Sequence, residues 1–299
     1  MTLDETKHRV LVTGGAGFLG SHIADALSKR GHSVTIFDRA PSRWLSPDQR
    51  MIVGDITNGD DVKRAAEGMD VVYHLAALAD LNEGKTRPLE TARVNIMGTL
   101  HVLEAVRAGG ARLLFASTVY VYSREGGFYR CSKQACESYI EEYARSYGVR
   151  YTVLRYGSLY GPRADGANGI YRLLRAAIDT GVVSYGGGPD DIREYIHVED
   201  AAGLSVDALG PEFLDKHLVL TGSASLRAAE LFTMFQEILG RPVEVKYARQ
   251  KEGHYAVTPY AYTPKPGRKL TAPHFVDMGQ GLLQVIEELH AMGVAEVKP

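Results

Sequence analysis

A chain of 299 residues with 45% hydrophobic side chains is long enough to bury one large α/β core or two smaller ones sharing an interface. Its 34 basic and 36 acidic residues give a formal net charge of -2 with no long run of one sign, which argues against nucleic acid as a partner. The opening "MTLDETKHRVLVTGG" reads as neither a signal peptide nor a spanning helix, so a cytoplasmic setting with no membrane partner is expected. Cys131 and Cys136 fall on different faces of a helix at their spacing, so no disulfide is expected, and no metal-ligand cluster is visible.

In chain order, the apolar run "HRVLVTG" is followed by the amphipathic "FLGSHIADALSKRG", then by the strand-like "HSVTIFD" and "MIVGD". "NGDDVKRAAEG" reads as a helix, "DVVYHLA" as a strand, and "PLETARVNIMGTLHVLEAVRAGG" as a long helix closed by glycine. The strand "ARLLFAST", the helix "YRCSKQACESYIEEYARSYG" and the strand "VRYTVLRYG" come next. Strands alternating with helices predict an α/β fold with a Rossmann-type, doubly wound parallel sheet. Beyond Tyr156 the pattern loosens into isolated strands such as "GVVSYGGGPDD", "HLVLTGS" and "VEVKYA". Residues 1–156 are therefore expected to bind a dinucleotide and carry the catalytic pair. Residues 157–299 are expected to form mainly a smaller C-terminal α/β substrate-binding region, with sheet and helices free to interleave with the first.

Gly14, Gly17 and Gly20 sit between the first strand and the first helix, with Phe18 and Leu19 opening that helix. Such a turn brings backbone amides and a helix N-terminus against a pyrophosphate. Asp38 ends the second strand, where a carboxylate accepts bonds from a ribose diol and repels a 2'-phosphate, so NAD is favoured over NADP despite the adjacent Arg39. Asp55 and Ile56 after the third strand can face the adenine, and Leu75, Ala76 and Ala77 keep side chains small where backbone approaches the cofactor. A strand-end Asp and close packing explain these last residues equally well.

Tyr129 and Lys133 lie four residues apart, on one face of a helix. A phenol of pKa ~10 needs about three units of depression, roughly 4 kcal/mol, to act as a base near neutrality. One ammonium at ~4 Å supplies an effect of that order at an effective dielectric of ~20. Lys133, with a positively charged nicotinamide, can thus poise Tyr129, and the hydroxyl of Thr118 at the preceding strand end can bridge the reacting oxygen.

Together, "TGGAGFLG", Asp38, "HLAA", "STVYVYS", "YRCSK", "LRYGSLYGP" and "REYIHVED" resemble the extended short-chain dehydrogenases/reductases, the sugar-nucleotide epimerase/dehydratase family, over almost the whole chain. The resemblance implies a nucleotide-sugar substrate, a tightly held NAD, Tyr129 as base, Lys133 as its tuner and ribose ligand, and Thr118 as hydroxyl partner. It also implies a homodimer formed by the two long helices around Leu89 to Ala108 and Tyr129 to Tyr147.

Dehydratases of this family carry an Asp-Glu pair after the catalytic hydroxyl, and decarboxylases usually a Glu at the second position; here Val119 and Tyr120 stand there. By exclusion a 4-epimerase leads, with a dehydratase or a keto-sugar reductase as alternatives; a non-catalytic cofactor sensor would be expected to lose Tyr129 or Lys133. Tyr120 is expected to pack on the sugar, though a proton donor in a variant elimination is a second reading. Arg193 matches the family's diphosphate-contacting arginine, Arg163 is a second candidate, and Ser158 follows Gly157 where relatives often have Asn. His197 is expected to pack. The loop between Thr118 and Tyr129 is shorter than usual in the family, so the Tyr/Pro-rich stretch His254 to Arg268 is the candidate to help close the site, with a surface brace or dimer contact as the equal alternative.

Overall fold

The computed structural model describes residues 6–248, 254–262, 280, 282–284, 286 and 290. The first strand, β1 (Arg9–Thr13), enters a glycine turn and α1 (Phe18–Lys29), and β2 (Ser33–Asp38), β3 (Gln49–Val53), α2 (Gly59–Ala66) and β4 (Val71–His74) follow. Next come α3 (Leu81–Thr86), α4 (Pro88–Thr91), α5 (Gly98–Gly109), β5 (Arg112–Thr118), α6 (Gly127–Tyr147) and β6 (Tyr151–Tyr156). The remaining described elements are β7 (Ser158–Tyr160), α7 (Gly169–Thr180), β8 (Val182–Tyr185), β9 (Ile192–His197), α8 (Val198–Asp207), β10 (Lys216–Leu220), β11 (Ser225–Arg227), α9 (Ala228–Leu239) and β12 (Glu244–Tyr247).

Seven parallel strands form the central sheet in the order β10-β6-β5-β4-β1-β2-β3. Val10–Val12 reads as a continuous apolar run because helices cover both faces of the sheet, and Tyr151–Tyr156 is likewise buried throughout, Thr152 and Arg155 included. Ile23, Ala24 and Leu27 of α1 pack on one face with Val206 of α8; Val102, Leu103 and Val106 of α5 pack on the other with Cys136 and Ile140 of α6. The strand order reverses between β1 and β4, which opens a crevice at the carboxyl ends of the strands.

Two elements differ from the sequence expectation. The run "HLVLTGS" supplies β10, the edge strand of the central sheet, paired in parallel register with β6, rather than an isolated strand. The expected single helix from Pro88 is interrupted by a wider π-helical stretch, Ala92–Met97, which buries Asn95. Among the described residues no helix is long and apolar enough to cross a membrane, and no cluster of His, Cys, Asp and Glu is suited to a metal. Cys131 is exposed, Cys136 is buried, and both are free. Residues 264–299 form a separate unit, of which the described positions are helical.

Candidate active site

The turn after β1 is built from close backbone contacts. Gly14 has φ +73°, and a Cβ on Gly20 would lie 2.2 Å from the Gly14 carbonyl oxygen. Gly17 caps α1 without any side-chain hydrogen bond to the first-turn amides, and that turn holds no acidic residue, so its donors are left for an anion. Asp38 at the end of β2 accepts a 3.1 Å bond from the Ala16 amide, tying the carboxylate to the glycine turn. Asp55 accepts from the Thr57 amide and hydroxyl, both at 2.8 Å, and these bonds hold its carboxyl below the usual range.

These residues line a cleft of about 690 Å³. Gly14, Gly17, Phe18, Leu19, Gly20, Asp38, Arg39, Asp55, Ile56, Leu75, Ala76 and Ala77 border it, together with Thr118, Tyr129 and Lys133. A glycine turn at a helix start, a carboxylate at the end of β2 and a cleft of this size fit a dinucleotide such as NAD.

Helix α6 brings Tyr129 and Lys133 to the cleft. Gly126 and Gly127, with φ +87° and +50°, make the left-handed reversal that starts α6. Burial pushes the Tyr129 phenol up, with the Cys136 thiol adding to it, while a hydrogen bond from Thr118 opposes the rise. Lys133 is 3% exposed. Its Nζ donates 2.6 Å to the Ala116 carbonyl and lies 5.8 Å from the Tyr129 ring centroid. Burial holds Lys133 down at about 8, against the pull of Cys136 and Glu137. Desolvation thus outweighs, at the phenol, the hydrogen bond from Thr118.

Sequence reasoning missed the buried groups that hold this pair. Glu137, one turn beyond Lys133, accepts from Ser117 Oγ at 2.5 Å and from Arg155 Nε and Nη2 at 3.0 and 2.6 Å. Arg155 also reaches Tyr122 and, at 2.7 Å, His217 Nδ1. Asn95 bonds both polar atoms of the Leu78 backbone and donates 2.9 Å to Ser132, so the π stretch clamps the loop after β4 to the catalytic helix. His74 lies between Thr13 and Thr99 at 2.7 and 3.0 Å, and burial lowers it to about 3, so it is neutral. The four-residue spacing of Lys133 and Glu137 was a readable signal; the partners on β5, β6 and β10 were not.

The substrate-side candidates divide. Tyr120 follows Thr118 in the tight turn Val119–Tyr122, and its ring centroid lies 4.8 Å from that of Tyr255. Ser158 Oγ is 3.3 Å from Tyr255 Oη, and the Arg193 guanidinium is 5.4 Å from the Tyr255 ring. Tyr120, Ser158 and Arg193 thus gather around one tyrosine of the Tyr/Pro-rich stretch. Arg163 does not join them: it pairs with Asp25 of α1 at 2.7 Å and lies 4.9 Å over Trp44. His197 caps α8 and packs edge-on against Tyr160 at 5.3 Å. Of the stretch His254 to Arg268, residues 263–268 lie outside the described residues. Tyr262 is 3.3 Å from Glu137 and from Arg155, and Tyr260 bonds Glu194 and, at 3.4 Å, Thr221.

Comparison with known proteins gives a consistent assignment. A UDP-N-acetyl-alpha-D-glucosaminuronate decarboxylase from Bacillus cytotoxicus is 30% identical, with 92% of each chain covered. A putative UDP-glucose 4-epimerase from Methanocaldococcus jannaschii is 29% identical over 82% of this chain and 87% of the relative. The solved UDP-glucose 4-epimerase of Thermus thermophilus, in complex with NAD, is 29% identical with a TM-score of 0.74, covering 86% of this chain and 90% of that one. The family model matches residues 10–213, and the chain belongs to the NAD dependent epimerase/dehydratase family.

Proposed function

We propose that this NAD-dependent enzyme is a 4-epimerase of a nucleotide-activated hexose, working through a transient 4-keto sugar. The observation that carries the reading is the convergence of Thr118, Tyr129 and Lys133 on one cleft, with no carboxylate at Val119 or Tyr120 to drive an elimination or assist a decarboxylation. When bound, NAD supplies the hydride acceptor and donor and a positive nicotinamide charge. Gly14, Gly17 and Gly20 would hold its pyrophosphate, Asp38 its adenosine ribose, and Lys133 the second ribose. Tyr129 takes the proton of the sugar 4-hydroxyl and returns it after the ketone has turned over, while Thr118 holds the same oxygen. The Arg193 fork suits the diphosphate, with Tyr120 and Ser158 flanking the sugar.

In this reading residues 1–156 bind the cofactor and residues 157–299 chiefly the substrate, and the enzyme is a cytoplasmic homodimer serving polysaccharide biosynthesis. Exposed Leu89, Met97, Tyr139 and Tyr147, on α4 to α6 and the π stretch between them, support pairing of two copies. Light scattering at micromolar concentration checks this; a monomer would refute it. Uridine diphosphate sugars are the first substrates to test, since the relatives are named for them.

The purified protein should interconvert a C4 epimer pair from a panel of such sugars, read by NMR. Tyr129→Phe should lose at least ~100-fold in turnover while retaining cofactor. A keto product without epimerisation, net consumption of reduced cofactor, or near wild-type turnover in the variant would each reject the reading.

A further inference from the structure

Arg163 stands away from the substrate-side candidates, and its backbone lies in the left-handed region at φ +67°, which a side chain other than glycine seldom adopts. Contacts of the side chain hold it there. Its Nη2 donates 2.7 Å to Asp25 Oδ2, with the two side chains 22% and 19% exposed. The other oxygen of that carboxylate is already fixed from behind, by Gln49 Nε2 at 3.0 Å and Ser46 Oγ at 3.4 Å. The guanidinium also lies 4.9 Å over the ring of Trp44, the one tryptophan of the chain. A second tie sits beside the first: His22 Nε2 is 3.0 Å from the Pro162 carbonyl oxygen, and His22 shares a face of α1 with Asp25.

Both ties land on the helix whose first turn borders the cleft through Phe18, Leu19 and Gly20. They come from a loop that borders the same cleft through Asp165 and Ala167. That loop is closed at its base, where Asn168 Nδ2 donates 2.8 Å to the Leu159 carbonyl. From this geometry we propose that Arg163 is a positioning residue for the cofactor. Its ion pair with Asp25 and its stack on Trp44 latch the 161–168 loop to α1, and the latched loop keeps NAD in the cleft.

Three physical points support the latch. A disfavoured backbone conformation persists where surrounding contacts over-determine it, and such places cluster at ligand clamps. A partly buried ion pair is screened less by salt than an exposed one, and the stack on Trp44 adds to it. By linkage, a latch that holds NAD is itself held closed by NAD. The proposal depends on the cofactor and not on which sugar is turned over. An enzyme that returns its hydride to the same sugar needs such retention, because reduced cofactor lost between the two transfers strands the ketone.

The test loads the full-length protein with NADH, displaces it with excess NAD and follows release by NADH fluorescence. Arg163→Gly accommodates the φ of +67°, so the loop keeps its backbone while the latch is lost. Release should quicken roughly 10-fold in that variant and about 3- to 10-fold in Asp25→Asn. Arg163→Lys keeps the charge without the flat fork, so it should fall between the parent and Arg163→Gly. A second readout uses no turnover: NAD should shield Trp44 from quenching by acrylamide in the parent and leave the quenching unchanged in Arg163→Gly. A brace that only stabilised the fold would move the unfolding midpoint without this dependence on NAD. Release at the parent rate in Arg163→Gly or in Asp25→Asn, a lysine variant as fast as the glycine one, or quenching in the parent that NAD does not alter would overturn the proposal.

Discussion

Loss of one member of the Glu137–Arg155 pair should be more damaging than loss of both. The side chains are 4% and 8% exposed, so solvent screening does little to soften an unpaired charge. Breaking a buried pair from one side costs about 3–5 kcal/mol. At roughly 2.1 cal/mol/K per residue over 299 residues, the unfolding entropy is about 0.6 kcal/mol/K, and Tm should fall by about 5–8 °C in Arg155→Met or Glu137→Gln. The double variant Glu137→Gln with Arg155→Met removes both charges and leaves mainly the Tyr122 hydroxyl without its partner, at about 1–3 kcal/mol. Denaturant titration of the four proteins, closed as a double-mutant cycle, measures the coupling. Glu137→Gln also removes a negative charge that supports protonation of Lys133, so the lysine should titrate below about 8 in that variant. Single variants within ~1 kcal/mol of the parent, or a double variant as costly as their sum, would refute the view that this pair is a buried charge clamp behind the catalytic helix.

Gly20→Ala places a Cβ 2.2 Å from a backbone oxygen, and an overpacking cost of about 1–3 kcal/mol should appear as roughly 10- to 100-fold weaker NAD binding by calorimetry. Asp38→Ala should narrow the preference for NAD over NADP by relieving repulsion of the 2'-phosphate; equal affinities in the unaltered protein would contradict the assignment. Lys133 has a folded pKa depressed to about 8 against ~10.4 in the unfolded chain, so the unfolded state binds more protons between those values. The cofactor-free protein should therefore gain stability with rising pH across that window relative to Lys133→Met, measured by denaturant midpoints.

The alternation of apolar runs and amphipathic segments was enough to read β1 through β6 and their helices, since each pattern is local. The place of β10 was not legible, because a five-residue strand with a short apolar end looks the same in any sheet and its register with β6 is a long-range property. At the site, Tyr129 and Lys133 could be read from helical spacing, and the glycine turn from its position between a strand and a helix. Asn95 gave no such signal, because nothing local announces that a π stretch will turn it toward Leu78 and Ser132. Arg163 misled for a related reason: its salt bridge to Asp25 spans 138 positions in the chain. His254 was read only as the first residue of a covering stretch, and its contact with Tyr120 needed the fold.

The origin of β10 also bears on modularity. Its parallel pairing caps the edge of β6, a strand buried at every position from Tyr151 to Tyr156. A fragment stopped at residue 156 would bare that edge as an unpaired, apolar template for other chains. Residues 1–156 are thus not a cassette that recombination could lift out and graft elsewhere. Any transferable unit has to run at least through Leu220, carrying β7 to β10 along with the cleft.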